Sequence, residues 1–189
     1  MRRVAALALC LMLAFTAAAE AGFTFRNGVT WDMSLRQVLD AEANPSYTNY
    51  GNEPMRLIQI EGVQAAGLEA NVFYGFLEHQ LVIAGYGFTD GVDSIDLPAL
   101  AEAVSCVYGN ASQTQEDIGR FMQLTDVLYG ENWADRTAAG GTFYCWDAPD
   151  DTLILLTNAF GTVELAYVHE SAILNYKRRQ DLKYTTDGL

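Results

Sequence analysis

The chain has 189 residues, with 24 acidic against 11 basic side chains and a formal charge of -13 at neutral pH. A surface of that sign repels nucleic acid and anionic membrane faces, so neither is an expected partner. Half of the residues are hydrophobic and 12% are aromatic, which predicts a packed core and excludes a disordered chain.

Met1, Arg2 and Arg3 open the sequence, and an apolar run follows to Ala19 through Leu7, Leu9, Leu11, Leu13 and Phe15. A positive start, an apolar stretch short for a membrane span, and small residues at Ala17, Ala19 and Ala21 read as a Sec-type signal peptide over residues 1–21, cut after Ala19 or Ala21. The body expected after cleavage is a single domain over 22–189, exported by a bacterium to the periplasm or the medium. No second apolar run long enough to span a bilayer follows, so no membrane span is expected after cleavage.

The first mature residues, 23–26, alternate as a short strand that Asn27-Gly28 would turn. Ser34 and Gln37 form a capping box, with Met33 and Val38 as its hydrophobic staple, so a helix follows with Leu35, Val38 and Leu39 as its stripe. Asn44-Pro45 ends it, because the residue before a proline avoids helical angles. A polar loop holding Tyr47, Tyr50 and Pro54 leads to strands over 56–61, 68–77 and 81–88. The last two read as a hairpin, with Ala70, Val72, Tyr74 and Phe76 sharing one face and Val82, Ala84, Tyr86 and Phe88 sharing one face of the partner. Gly75, Gly85 and Gly87 signal a bulge, or something packed closely on the sheet.

Asp96 can cap a second helix, with Pro98 in its first turn, that runs to Tyr108 and stops at Gly109-Asn110. The pattern then weakens. Residues 121–128 fit either strand or helix, and 130–141 read as a long loop containing Trp133. Strands over 142–147, 152–158 and 163–169 follow, with turns at Pro149-Asp150-Asp151 and Ala159-Phe160-Gly161. Residues 171–189 read as a tail whose Lys177, Arg178, Arg179 and Lys183 are either solvated or folded back on the acidic body. A capped helix followed by three antiparallel strands thus occurs twice, at about 23–89 and about 90–170. That regularity predicts an α+β fold of two tandem helix-plus-three-strand repeats packed as one compact unit.

Cys10 falls inside the signal, leaving Cys106 and Cys145. In an oxidising compartment an isolated pair reads first as a disulfide. Helical phase sets Cys106 opposite Leu97, Leu100, Val104 and Tyr108 and beside Ala99 and Ala103, so the bond requires a covered alanine side; a pair of free buried thiols is the other reading.

The run Phe23-Thr24-Phe25-Arg26-Asn27-Gly28-Val29-Thr30-Trp31-Asp32-Met33-Ser34 resembles the opening of a family of uncharacterised secreted bacterial proteins. Members begin with a phenylalanine-arginine strand and a glycine, then a tryptophan-glycine-methionine-serine run that opens a helix. Asp32 stands where the family has glycine, and aspartate tolerates a left-handed backbone better than most residues. The helix-then-strands layout is also distantly similar to modules of the β-lactamase inhibitory protein type. That resemblance implies an interaction role at the level of the fold and carries no residues with it.

Chemistry is sparsely signalled. His79 reads as a hairpin-turn residue and His169 as a strand end, both on the surface. No nucleophile elbow, Cys-x-x-Cys, His-Glu-x-x-His or phosphate loop is present. Asp90, Asp93 and Asp96, and Asp147, Asp150 and Asp151, lack the spacing of a calcium loop and read as turns and caps. No catalytic, cofactor or metal residue is therefore assigned. Tyr47, Tyr50 and Trp133 in loops are the candidate anchors for a partner. The expected function is a non-enzymatic binding module whose partner is a protein or envelope component; a secreted hydrolase with a remote carboxylate pair is the alternative.

Overall fold

A computed structural model describes residues 22–129, 141–159 and 161–186; the expected signal segment and Trp133 lie outside the described residues. In chain order the elements are α1 (Leu35–Ala41), β1 (Thr48–Asn52), β2 (Met55–Ala65), β3 (Leu68–Leu77), β4 (Gln80–Phe88), α2 (Leu97–Tyr108), α3 (Gln115–Tyr129), β5 (Phe143–Ala148), β6 (Thr152–Thr157), β7 (Val163–His169) and α4 (Glu170–Thr186). All seven strands join one antiparallel sheet in the order β1-β2-β3-β4-β7-β6-β5. The mixed α+β class and the antiparallel sheet are those read from the sequence.

Strand alternation divides the core between the two faces of that sheet. Ala70, Val72, Tyr74, Phe76, Ile154, Leu156, Leu165 and Tyr167 pack with α1, α2 and the segment from Phe23 to Trp31. On the opposite face, Val82, Ile83, Phe143, Cys145, Leu153, Leu155 and Val168 pack with Phe121, Leu124 and Leu128 of α3 and Ile173 of α4. The central strands are buried from both sides, and all six residues of β6 are buried. Sheets covered on both faces read as continuous apolar runs, as Leu153 to Leu156 does.

Local signals explain the elements. Ser34 accepts from the Gln37 backbone N–H while the Gln37 side chain accepts from the Ser34 N–H, which is the capping box that starts α1. Asp96 Oδ1 accepts from Ala99 N–H at 3.2 Å and starts α2. Left-handed Glu78 and His79 (φ 49° and 70°) make the two-residue turn between β3 and β4, where Leu77 faces Gln80. The register slips between Gly75 and Phe76. Val82 consequently turns to the second face, away from Ala84 and Phe88, which departs from the shared face expected for it. Gly85 is obligatory for packing, since a Cβ there would fall 2.4 Å from Phe73 Cζ and 2.6 Å from the Leu165 carbonyl oxygen.

Further expectations are corrected. Residues 23–26 are not a strand; Phe23 and Phe25 are pinned by aromatic packing, while Asn27 and Gly28 do turn the chain with left-handed angles (φ 55° and 78°). The polar loop after α1 holds β1. The chain after β7 is α4 rather than a tail, starting without a connecting loop. Arg120 of α3 holds it in place through a bidentate pair with Glu170, and also reaches Asp147 of β5 at 2.7 Å. Arg179 of α4 reaches Glu78 in the β3–β4 turn at 2.6 Å, so this basic arm does fold back on the acidic body.

Another correction concerns sulfur: Cys106 and Cys145 are both free, the first exposed and the second buried. Tyr144 and Trp146 face α2, and the Trp146 Nε1–H reaches Ser105 Oγ and the Gly109 carbonyl, both at 3.1 Å. Cys145, between them, points through the sheet to Phe121 and Phe143. The sheet therefore stands between the two thiols, and Cys106 lies on the outer side of α2 as its helical phase requires. Asp32 is also not left-handed; a Met33 N–H bond to the Thr30 carbonyl at 3.2 Å closes that turn without glycine angles.

Candidate functional site

The two edges of the sheet differ. At β5 the outer edge is closed: Ser112 N–H donates to the Cys145 carbonyl at 2.8 Å, Cys145 N–H donates to the Ser112 carbonyl at 2.9 Å, and the Gln113 amide reaches the Phe143 carbonyl at 2.9 Å. At β1, no described strand or loop pairs with the outer side. Every residue of Thr48–Asn52 is exposed, and none is charged or proline. Lysine, proline and inward charges are the usual guards against strand addition.

Side chains extend this edge. Tyr50 faces Leu57 across the β1–β2 ladder, on the same side of the sheet as Met55 and Phe73, which pack at the margin of the second core. Tyr47, one residue before the strand, is 43% exposed and Tyr50 is 46% exposed; with Leu182 they are the large hydrophobic side chains left open among the described residues. Two of the three aromatics singled out from sequence thus lie together at the open edge, while Trp133 is outside the described residues.

No family model, curated protein or solved structure matches the chain.

A second feature is a cleft of about 410 Å³ between the N-terminal segment and the β5–β6 turn. The Trp31 ring lies between Phe23 (centroids 3.8 Å, planes 10° apart) and His169 (5.3 Å, 14°). Its Nε1–H donates to Thr152 Oγ1 at 3.0 Å, which fixes the ring against β6. Asp32, Asp150 and Asp151 rim the cleft and are all exposed. Left-handed angles at Asp150 and Asp151 (φ 58° and 50°) aim this turn toward the N-terminal segment, and Asp150 Oδ2 accepts from Phe23 N–H at 2.7 Å.

His169 is therefore no simple surface residue. Burial pushes its pKa below the ordinary imidazole value, against the raising influence of Asp151, Asp150 and Asp32, so it is neutral at pH 7. Its Nε2 is 3.4 Å from Ser171 Oγ, but its Nδ1 is buried and has no hydrogen-bond partner. A serine–histidine pair needs a third group to orient the base, and among the described residues this pair has none.

The withdrawn carboxyls do not converge either. Glu42 is nearly enclosed on the first face, where the Tyr74 hydroxyl donates to it, Asn27 Nδ2 donates at 3.0 Å and Arg26 pairs with it at 3.1 Å. Burial raises the pKa of Tyr74 and holds Tyr86 up at about 12, so both stay protonated in this network. Glu164 has a pKa raised by burial, yet it alternates with Val163 and Leu165 and so faces the opposite side of the sheet. Among the described residues no group of three histidine, cysteine or acidic side chains is arranged to hold a metal, and no helix is long and apolar enough to cross a membrane.

Proposed function

We propose that this chain is an exported, non-enzymatic binding module of the bacterial periplasm or medium, and that it takes an extended segment of a partner protein as an added strand on β1. The observation that carries the reading is the asymmetry of the sheet, with one edge capped by Ser112 and the other left open, uncharged and flanked by exposed Tyr47 and Tyr50. Main-chain hydrogen bonds along a bare edge supply affinity, and pockets for alternate side chains supply specificity. Tyr50, backed by Leu57 across the ladder, offers an apolar contact to one side chain of an incoming strand, beside Thr48 and Asn52 on the same face. The two meanders β2-β3-β4 and β5-β6-β7, meeting at the β4–β7 ladder, support reading the halves as helix-plus-three-strand repeats.

A hydrolase is disfavoured because the cleft carboxylates are exposed, while Glu42 and Glu164 are separated by the sheet. The test is affinity capture from the producing cell's envelope and medium, comparing the processed protein with Tyr50→Lys. A charge at the centre of an edge strand blocks strand addition without disturbing a core. Retention of one protein by the parent and at least tenfold less by the variant, at equal melting temperature, is the expected result. Equal retention, or release of sugar or peptide products by the parent alone, contradicts the reading.

A further inference from the structure

The cleft at Trp31 contains three carboxylates and a neutral histidine but no lysine or arginine, and the residue seated on it is Gly22. A methyl group built on Gly22 would land 1.5 Å from Asp150 Oδ2, so this carboxyl lies directly against the Gly22 backbone. The nitrogen and a Cβ on one tetrahedral carbon are about 2.5 Å apart, which puts the Gly22 nitrogen within about 4 Å of the same oxygen. That oxygen already accepts from Phe23 N–H, so the first mature residues are tied to the β5–β6 turn.

We propose that export processing cuts the bond between Ala21 and Gly22, and that the α-ammonium released at Gly22 is held by Asp150 in the acidic cleft. This rests on the export reading above. Water adds across the peptide bond under a signal peptidase, leaving a carboxylate on Ala21 and, after protonation, an ammonium on Gly22. The new cation supplies the positive charge the cleft lacks, facing Asp150 and Asp151 from the β5–β6 turn, Asp32 from the turn before α1, and uncharged His169 from β7. A cut after Ala19 would instead leave Glu20 and Ala21 ahead of Gly22, so the new ammonium would not be on Gly22. Processing would thus anchor Phe23 and Trp31, and with them the aromatic stack over β6 and β7.

The full-length gene is expressed in cells that export the product, and the protein they accumulate is purified and sequenced from its N-terminus. A start at Gly22 is expected. A start at Glu20 in an exported product overturns this inference alone, whereas a start at Met1 in cytosolic protein overturns the export reading with it. On the processed protein, the α-amine is titrated through the pH dependence of its labelling by isotopic acetic anhydride. Its pKa is expected at least half a unit above the ordinary range of about 7.7–8.0, and Asp150→Asn is expected to bring it back. Asp32→Asn and Asp151→Asn leave the Phe23 bond in place and are expected to lower it in smaller steps. An ordinary value in the parent protein, or no change in any of the three variants, overturns the proposal.

Discussion

Burial pushes the Cys145 thiol up to about 12, while Cys106 stands exposed on α2, so the two sulfurs differ in reactivity. Only the thiolate is a good nucleophile. One equivalent of thiol per processed chain should therefore react with a maleimide in the native state and two after denaturation, with the melting temperature unchanged by reductant. No reactive thiol even in the denatured chain without reductant, or a reductant-sensitive melt, would restore the disulfide. His169 gives a pH dependence. Folding holds its imidazole below the ordinary value of about 6.5, so protonation favours the unfolded chain. Its contribution is complete above about 6.5 and is lost as pH falls through the lower folded value. His169→Phe keeps a ring against Trp31, so its urea midpoint should fall less between pH 7 and pH 5 than that of the parent. An identical fall in both proteins would show that the histidine is not involved. The phase of Leu97, Leu100 and Val104 showed which way Cys106 points. What it could not show is that Ala103 is covered while the strip of Pro98, Glu102 and Cys106 stays open, since that depends on strands later in the chain.

Elements with a local cap or a regular alternation were legible; α3, which buries Phe121, Leu124 and Leu128, and β1, which buries nothing, were not. Ser34 with Gln37, and Asp96 with Pro98, mark the starts of α1 and α2 because capping is a local hydrogen-bond pattern. β2 to β7 announce themselves by alternation or by an unbroken apolar run. β1 has no buried residue, so nothing in Thr48–Asn52 records a period, and its pairing comes entirely from β2. α3 did carry a signal that went unused: Thr114 accepts from the Asp117 N–H at 3.2 Å, and hydroxyls of Ser112 and Thr114 hold the Asp117 carboxyl below its usual range. That is a Thr-x-x-Asp start. α4 is polar overall and buries Ile173 fully, so its placement depends on tertiary pairs. Arg120→Ala removes the Glu170 and Asp147 contacts together and, with the guanidinium partly exposed, should cost about 2 kcal/mol. Urea unfolding measures it, and a loss below a few tenths would show that α4 docks by Ile173 alone. Trp31→Phe keeps the stack but frees Thr152 Oγ1, and should cost about 1 kcal/mol by the same measurement.

At the scale of the molecule, one sheet runs through both halves, and its β4–β7 ladder pairs Ile83 to Phe88 with Val168 to Val163. The two halves share one sheet and both of its core clusters, so far-ultraviolet and tryptophan signals should report one coincident unfolding transition; two separated transitions would mean the halves are independent domains. The same continuity leaves only two edges to manage. Ser112 and Gln113 close one, and the other is the surface on which the proposed function stands. Amide hydrogen exchange of the processed protein, alone and with the protein captured from its own envelope, tests that surface most directly. The account predicts that new protection concentrates on the amides of Thr48–Asn52, with the rest of the sheet unchanged. Protection confined to other segments, with β1 exchanging as fast as in the free chain, would contradict it.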